Sequence, residues 1–202
     1  MIRYSLMFFA VFSVLLTTGD AHAQAKKRTF LEQNEMTRRW EEFKTPGAPH
    51  ALLVKLVGTW KVENTMWMGG PAGKAETSTG SSTYSSVLGG RYVQQDMNSS
   101  MLQMPYRGIG MFGYDNFKKK YTGFWIDDMS TAISVMEGTM DEKTGAITFW
   151  GKMDDPTTQE KDKKVKYILR IVDNNTHVFE LFDVTGYGEK APVMRVKYSR
   201  TK

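Results

Sequence analysis

Apolar positions recur with three different spacings along the chain, and each spacing predicts a different element. Leu6 to Leu16 is an almost unbroken apolar run behind Arg3, followed by Thr17, Thr18, Gly19 and Asp20 and then by Ala21-His22-Ala23. A basic residue, a short apolar stretch and small residues at the −3 and −1 positions make the pattern of a cleavable secretory signal. Crossing a bilayer takes about 20 apolar residues, more than this run supplies. Cleavage is expected after Ala23, with Ala23-Gln24-Ala25 offering a second place to cut.

Helical spacing follows. Met36, Trp40 and Phe43 fall at i, i+4 and i+7 on one stripe, with Glu35, Arg38, Arg39, Glu41 and Glu42 around it. Thr29-Phe30-Leu31-Glu32 reads as a capping box, in which the Thr hydroxyl and the Glu carboxylate satisfy early backbone N–H groups. A helix is therefore predicted from Thr29 to Lys44. Thr45-Pro46-Gly47-Ala48-Pro49 ends it, because proline cannot continue a helix. A shorter helix is predicted from His50 to Val57, packed down by Leu52, Leu53 and Leu56 and stopped at Gly58.

From Thr59 the period drops to two. Short β-branched and aromatic runs alternate with glycine, Asp-Asn and Lys-Thr-Gly turns, which predicts about ten strands. They cover approximately Thr59 to Met68, Ala75 to Val87, Arg91 to Ser99, Tyr106 to Tyr114, Lys120 to Asp127, Ala132 to Met140, Ala146 to Met153, Val165 to Val172, His177 to Val184 and Pro192 to Arg200. Successive strands with tight turns form a meander, and closing a meander removes its edges. The organisation expected is a signal peptide over 1–23, a helix and linker over 24–48, and a β-domain over 49–202.

Composition narrows the chemistry. The sequence has 202 residues, no cysteine and a formal net charge of +5. Disulfides, thiolate nucleophiles and cysteine-linked lipid are excluded, so packing must stabilise the fold. The basic residues gather at Lys26-Lys27-Arg28, Lys118-Lys119-Lys120 and Lys161 to Lys166, each beside a predicted turn or end. Solvated hairpin tips explain such runs better than a nucleic-acid or membrane surface. Asp127-Asp128 and Asp154-Asp155 likewise read as solvated strand ends.

Several motifs together resemble a known group. Leu56-Val57-Gly58-Thr59-Trp60, a short helix leading into a Gly-x-Trp strand, resembles the opening of calycin-type barrels such as lipocalins, fatty-acid-binding proteins and nitrobindin. Leu88-Gly89-Gly90-Arg91-Tyr92, Tyr106-Arg107-Gly108, Gly113-Tyr114-Asp115-Asn116, Trp125-Ile126-Asp127 and Tyr198-Ser199-Arg200 are similar to family 1579 of the domains of unknown function, from about Pro49 to Arg200. The resemblance implies an all-β fold: a closed antiparallel meander barrel of about eight to ten strands, lipocalin-like, preceded by N-terminal helices. It implies no activity. It also implies that Trp60 closes the barrel floor beneath the helix.

A barrel of this size is either filled by side chains or shares its interior with one small ligand. Trp60, Trp125 and Met136 are the apolar candidates for a ligand site, in a chain rich in methionine, whose flexible thioether suits adaptable cavities. Alternation puts Glu137 in phase with Ile133 and Val135, Glu180 with Val178 and Phe182, and Arg195 with Val193, so these charges are expected to point inward. A carboxylate inside a barrel needs a cationic partner, for which Arg91, Arg107, Arg170 and Arg195 are available. Such a pair is either a structural ion pair or the anchor for a ligand's head group.

Histidine limits catalysis. His50 and His177 alone remain after the leader, and His177 is the sole strand-located candidate to hold a haem, as nitrobindin-like chemistry would require. No close-spaced histidine pair suggests zinc, and no EF-hand loop suggests calcium. Ser78, Ser81, Ser82, Ser85 and Ser86 form a polar strand without a nucleophile elbow. Gly108-Ile109-Gly110 lies within a strand, where it relieves crowding or allows a bend. The reading favoured is an exported barrel that binds a small apolar or amphipathic ligand, without a resident cofactor or metal, without nucleic acid and without stable membrane insertion. The alternatives are an envelope interaction protein, a haem barrel through His177, and a small barrel enzyme using Glu137, Glu180 or His177.

Overall fold

A computed structural model describes residues 30–201; the expected signal peptide and the Thr29 cap lie outside them. The elements are α1 (Phe30–Lys44), α2 (Ala48–Val54), β1 (Gly58–Met68), β2 (Lys74–Val87), β3 (Tyr92–Met101), β4 (Met104–Asp115), β5 (Lys120–Asp127), β6 (Ser134–Met140), β7 (Ile147–Asp155), β8 (Glu160–Asp173), β9 (Thr176–Asp183), a turn of helix α3 (Val184–Tyr187), and β10 (Met194–Arg200). Helix α1 carries ion pairs from Glu35 to Arg38 at 2.7 Å and to Arg39 at 2.8 Å. Helix α2 starts two residues before the expected His50. Pro49 fits its first turn, where a missing N–H leaves no bond unmade.

Each strand pairs antiparallel with its neighbour in sequence, and β1 pairs with both β2 and β10, so the sheet closes into a ten-stranded barrel without a free edge. Inner positions alternate along the strands: Val165, Tyr167 and Leu169 of β8 are buried, as are Val93, Gln95 and Met97 of β3.

The Gly-x-Trp motif acquires a physical meaning at the floor. Trp60 is buried under Leu53 and Leu56, and its indole N–H donates to the Leu56 carbonyl at 2.7 Å. The Arg200 guanidinium lies 4.1 Å from the Trp60 ring and donates to the Lys55 and Val57 carbonyls, each at 2.8 Å. It thus ties the last strand to the end of the helical segment. Gly58 sits at φ +135°, a conformation that favours glycine, and a Cβ there would also push the Arg200 guanidinium aside.

Two face assignments differ from the sequence expectation. In β6, Met136 points inward while Val135 and Glu137 lie on the outer face, where Glu137 accepts from Lys120 at 2.6 Å. In β9, His177, Phe179, Leu181 and Asp183 form the inner face, and Val178, Glu180 and Phe182 the outer one. Both faces of β9 are apolar, so alternation alone does not choose between them. A third difference concerns Lys161 to Lys166, which belongs to β8 and not to a solvated tip: β8 begins at Glu160, and Lys163 and Lys166 are both buried.

Candidate functional site

Beyond the floor the barrel is not filled. A cavity of about 540 Å³ occupies its other end, where β5, β7 and β9 finish and β4, β8 and β10 begin. Its walls are mainly apolar. Met66, Met97, Met101, Met136, Met153 and Met194 contribute thioethers, and Phe112, Tyr167 and Phe179 form a ring cluster, with Tyr167 and Phe179 stacked at 5.6 Å.

Three polar arrangements interrupt these walls. In the first, the Trp125 indole N–H donates to the Tyr106 hydroxyl at 2.8 Å and to Asp127 Oδ2 at 3.1 Å. The Tyr106 hydroxyl lies 3.4 Å from the same carboxylate oxygen, and Asp127 Oδ1 accepts from the Met129 amide at 3.1 Å. Burial first, and then the Asp127 charge, raise the Tyr106 phenol above its ordinary range. Trp125 has room to lie here because its neighbours across the ladder, Gly108 and Gly110, have no side chains.

The second arrangement surrounds Lys163, which is 5% exposed. Its ammonium meets Asp183 at 2.7 Å, Asp155 at 3.1 Å and Glu160 at 3.2 Å. Asp183 Oδ1 also accepts from the Gly186 amide at 2.8 Å, capping α3. The hydrogen bond to Asp183 holds Lys163 above its ordinary range, and the bond from Lys163 pulls Asp155 down to about 2.

The third is a layer above the floor. The Gln95 amide donates to Ser82 and to the Tyr198 hydroxyl, each at 3.1 Å. Asn64, 7% exposed and part of the cavity wall, leaves Oδ1 without a hydrogen-bond partner among the described residues.

Of the residues singled out from sequence, Trp125 and Met136 line the cavity. Trp60 lies beneath it in the floor. Arg91 sits at the β2–β3 turn and donates to the Leu88 carbonyl at 2.9 Å, and Arg107 pairs with Asp96 on the outer face at 2.9 Å. Glu180 is buried on the outer wall between Arg170 and Arg195, with Arg195 at 2.8 Å. The inward anchor expected of Glu137, Glu180 and Arg195 is thus displaced to the outside, because the strand neighbours of Glu180 bring both arginines to that face. Among the described residues, the charged groups that line the cavity are Asp127, Asp155, Lys163 and Asp183, and Asp127 and Asp155 were read as solvated strand ends.

His177 does not fit haem ligation. Its ring stacks on Tyr198 at 4.1 Å, meets Trp60 edge-on at 4.3 Å, and directs Nε2 to the Tyr84 hydroxyl at 3.3 Å. It is fully buried and does not line the cavity, so neither face has space for a porphyrin. Burial, aided by the Arg200 charge, pushes its imidazole down to about 3.

The family profile described as "Protein of unknown function (DUF1579)" matches residues 45–200. The chain belongs to this family. Two solved structures resemble the DUF1579 barrel. Rv2717c from M. tuberculosis has a TM-score of 0.55 at 11% identity, covering 78% of this chain and 100% of its own. The S-type phycobiliprotein lyase CPES from Guillardia theta has a TM-score of 0.51 at 11% identity, covering 80% of this chain and 96% of its own. At such identities the likeness is one of fold. No curated protein matches this DUF1579 chain.

Proposed function

We propose that this DUF1579 protein is an exported binding module that holds one small amphipathic ligand inside the barrel. The observation that carries this reading is the cavity of about 540 Å³, apolar over most of its wall and bearing a few fixed polar groups. Small-molecule sites in proteins have volumes of about 300–1,000 Å³ and the same mixture of apolar wall and sparse polar anchors. A solid core would have closed this space, because protein interiors pack to the density of organic crystals. The acid–base candidates read from the sequence, Glu137, Glu180 and His177, do not line the cavity. Export is the reading of residues 1–23, and it would place the ligand outside the cytoplasm.

Native mass spectrometry of protein purified without denaturant tests the proposal. The expected spectrum contains a species heavier than the mature chain by one ligand, which a denaturing spray removes. A native mass equal to the denatured mass, with no uptake of added amphiphiles, would contradict it.

A further inference from the structure

The interior offers negative charge and hydrogen-bond acceptors and holds its positive charge in reserve for its own structure. Three carboxylates (Asp127, Asp155 and Asp183) and one ammonium (Lys163) line the cavity. An ammonium has three N–H donors. Those of Lys163 face Asp183, Asp155 and Glu160, so nothing remains to receive a ligand's carboxylate.

Asp127 is in the opposite position. Its oxygens accept from neutral donors, namely the Trp125 indole, the Tyr106 hydroxyl and the Met129 amide, and among the described residues no lysine or arginine pairs with it. The rings of Tyr106 and Trp125 meet it edge-on, through the hydroxyl and the indole N–H, and hold the carboxylate in place at the cavity wall. Independently, Asn64 contributes a buried acceptor, Oδ1, that has no donor among the described residues. A ligand supplying N–H groups and positive charge would complement both features, whereas an anionic head group would meet repulsion and, among the described residues, no free interior cation.

We propose that the ligand is a cationic amphiphile, an apolar chain or ring system ending in an ammonium group that Asp127 receives. The inference rests on the binding-module reading and specifies its ligand class.

Isothermal titration calorimetry of the full chain with dodecylammonium, dodecanol and dodecanoate, each below its micelle concentration at neutral pH, tests it. Dodecylammonium should bind about tenfold or more tighter than dodecanoate, with dodecanol between them. Asp127→Asn should bring dodecylammonium down to the level of dodecanol and leave dodecanol within about twofold, while Asp127→Glu keeps the cation preference. Circular dichroism would establish that each variant is folded. Dodecanoate binding as tightly as dodecylammonium, or an unchanged preference in Asp127→Asn, would overturn the assignment while leaving the binding module intact. Failure of all three probes to bind would overturn both.

Discussion

The indole of Trp125 occupies the space that a side chain at Gly108 would need: a Cβ there would come within 2.6 Å of Trp125 Cε2. This contact fixes the wall of the cavity, because the same indole orders Tyr106 and Asp127. Gly108→Ala should therefore displace the ring, at a cost of about 1–3 kcal/mol for overpacking. Urea unfolding would measure this, and a shift in tryptophan emission should accompany it. In the Gly108→Ala/Trp125→Ala double variant the two effects should sum to less than their separate values; strict additivity would refute the contact.

Lys163 is the counter-charge for the carboxylates at the cavity mouth, above all for buried Asp183. Lys163→Met should destabilise the barrel by about 3–5 kcal/mol, the usual result of leaving a buried ion unpaired. The acid side has a matching signature. Asp155 has its folded carboxyl at about 2 instead of the ordinary 3.8, so its contribution is present above the ordinary value and disappears as pH falls towards 2. Urea midpoints measured between pH 5 and 2 should fall more steeply in the wild type than in Lys163→Met.

His177 predicts a second pH dependence, of the same sign and in a higher window. Its imidazole ionises near 3 when folded and at the ordinary 6.5 when unfolded, so the unfolded chain binds the extra proton first. Stability should be complete above 6.5 and decline as pH falls below it, with this residue contributing up to about 1.4 kcal/mol per pH unit. Burial also lowers His50, which adds in the same direction. His177→Phe retains an aromatic ring against Tyr198 and should flatten the slope between pH 6.5 and 5 without abolishing it. An unchanged slope would show that His177 does not titrate as described.

The two glutamates expected from alternation should separate cleanly. Glu180 is buried and bonded by both Arg170 and Arg195, but these arginines are half exposed and stay solvated without it, so Glu180→Ala should cost about 1.5–3 kcal/mol, the loss of charge-assisted hydrogen bonds. Glu137 is half exposed and paired with Lys120, and Glu137→Gln should change stability by less than about 1 kcal/mol. Neither should alter ligand affinity beyond what loss of fold explains, because neither lines the cavity. Thermal melts combined with amphiphile titration would check both statements.

The strand pattern was legible because turns in this chain are chemically explicit: Lys118-Lys119 and Leu88-Gly89-Gly90 both mark hairpin ends, and the strands between such ends are apolar enough to count. Closure and the place of Trp60 in the floor were legible through the family resemblance, whereas the role of Arg200 there was not, because its partners Lys55, Val57 and Trp60 lie far away in sequence. Facing was harder. The outer wall carries Val135, Val178 and Phe182, so the period of two in β6 and β9 has two apolar phases, and only pairing with neighbouring strands selects one. Lys163 was hidden inside a run of lysines, although its spacing of two and four residues from Val165 and Tyr167 held the inward signal. Asp127 and Asp155 were hidden for a related reason. Strand ends are ordinarily solvated, but at the mouth of a hollow barrel they are also the rim of its cavity.

The central claim is that the interior of this barrel is a ligand site. Titration with the neutral fluorescent probe N-phenyl-1-naphthylamine tests it most directly, using the wild type and two variants, Met97→Trp and Leu181→Trp, that fill the cavity from different walls. One saturable site is predicted in the wild type, weakened by about tenfold or more in both variants while their far-ultraviolet circular dichroism stays native. Undiminished binding in folded variants, or no saturable binding in the wild type, would contradict it.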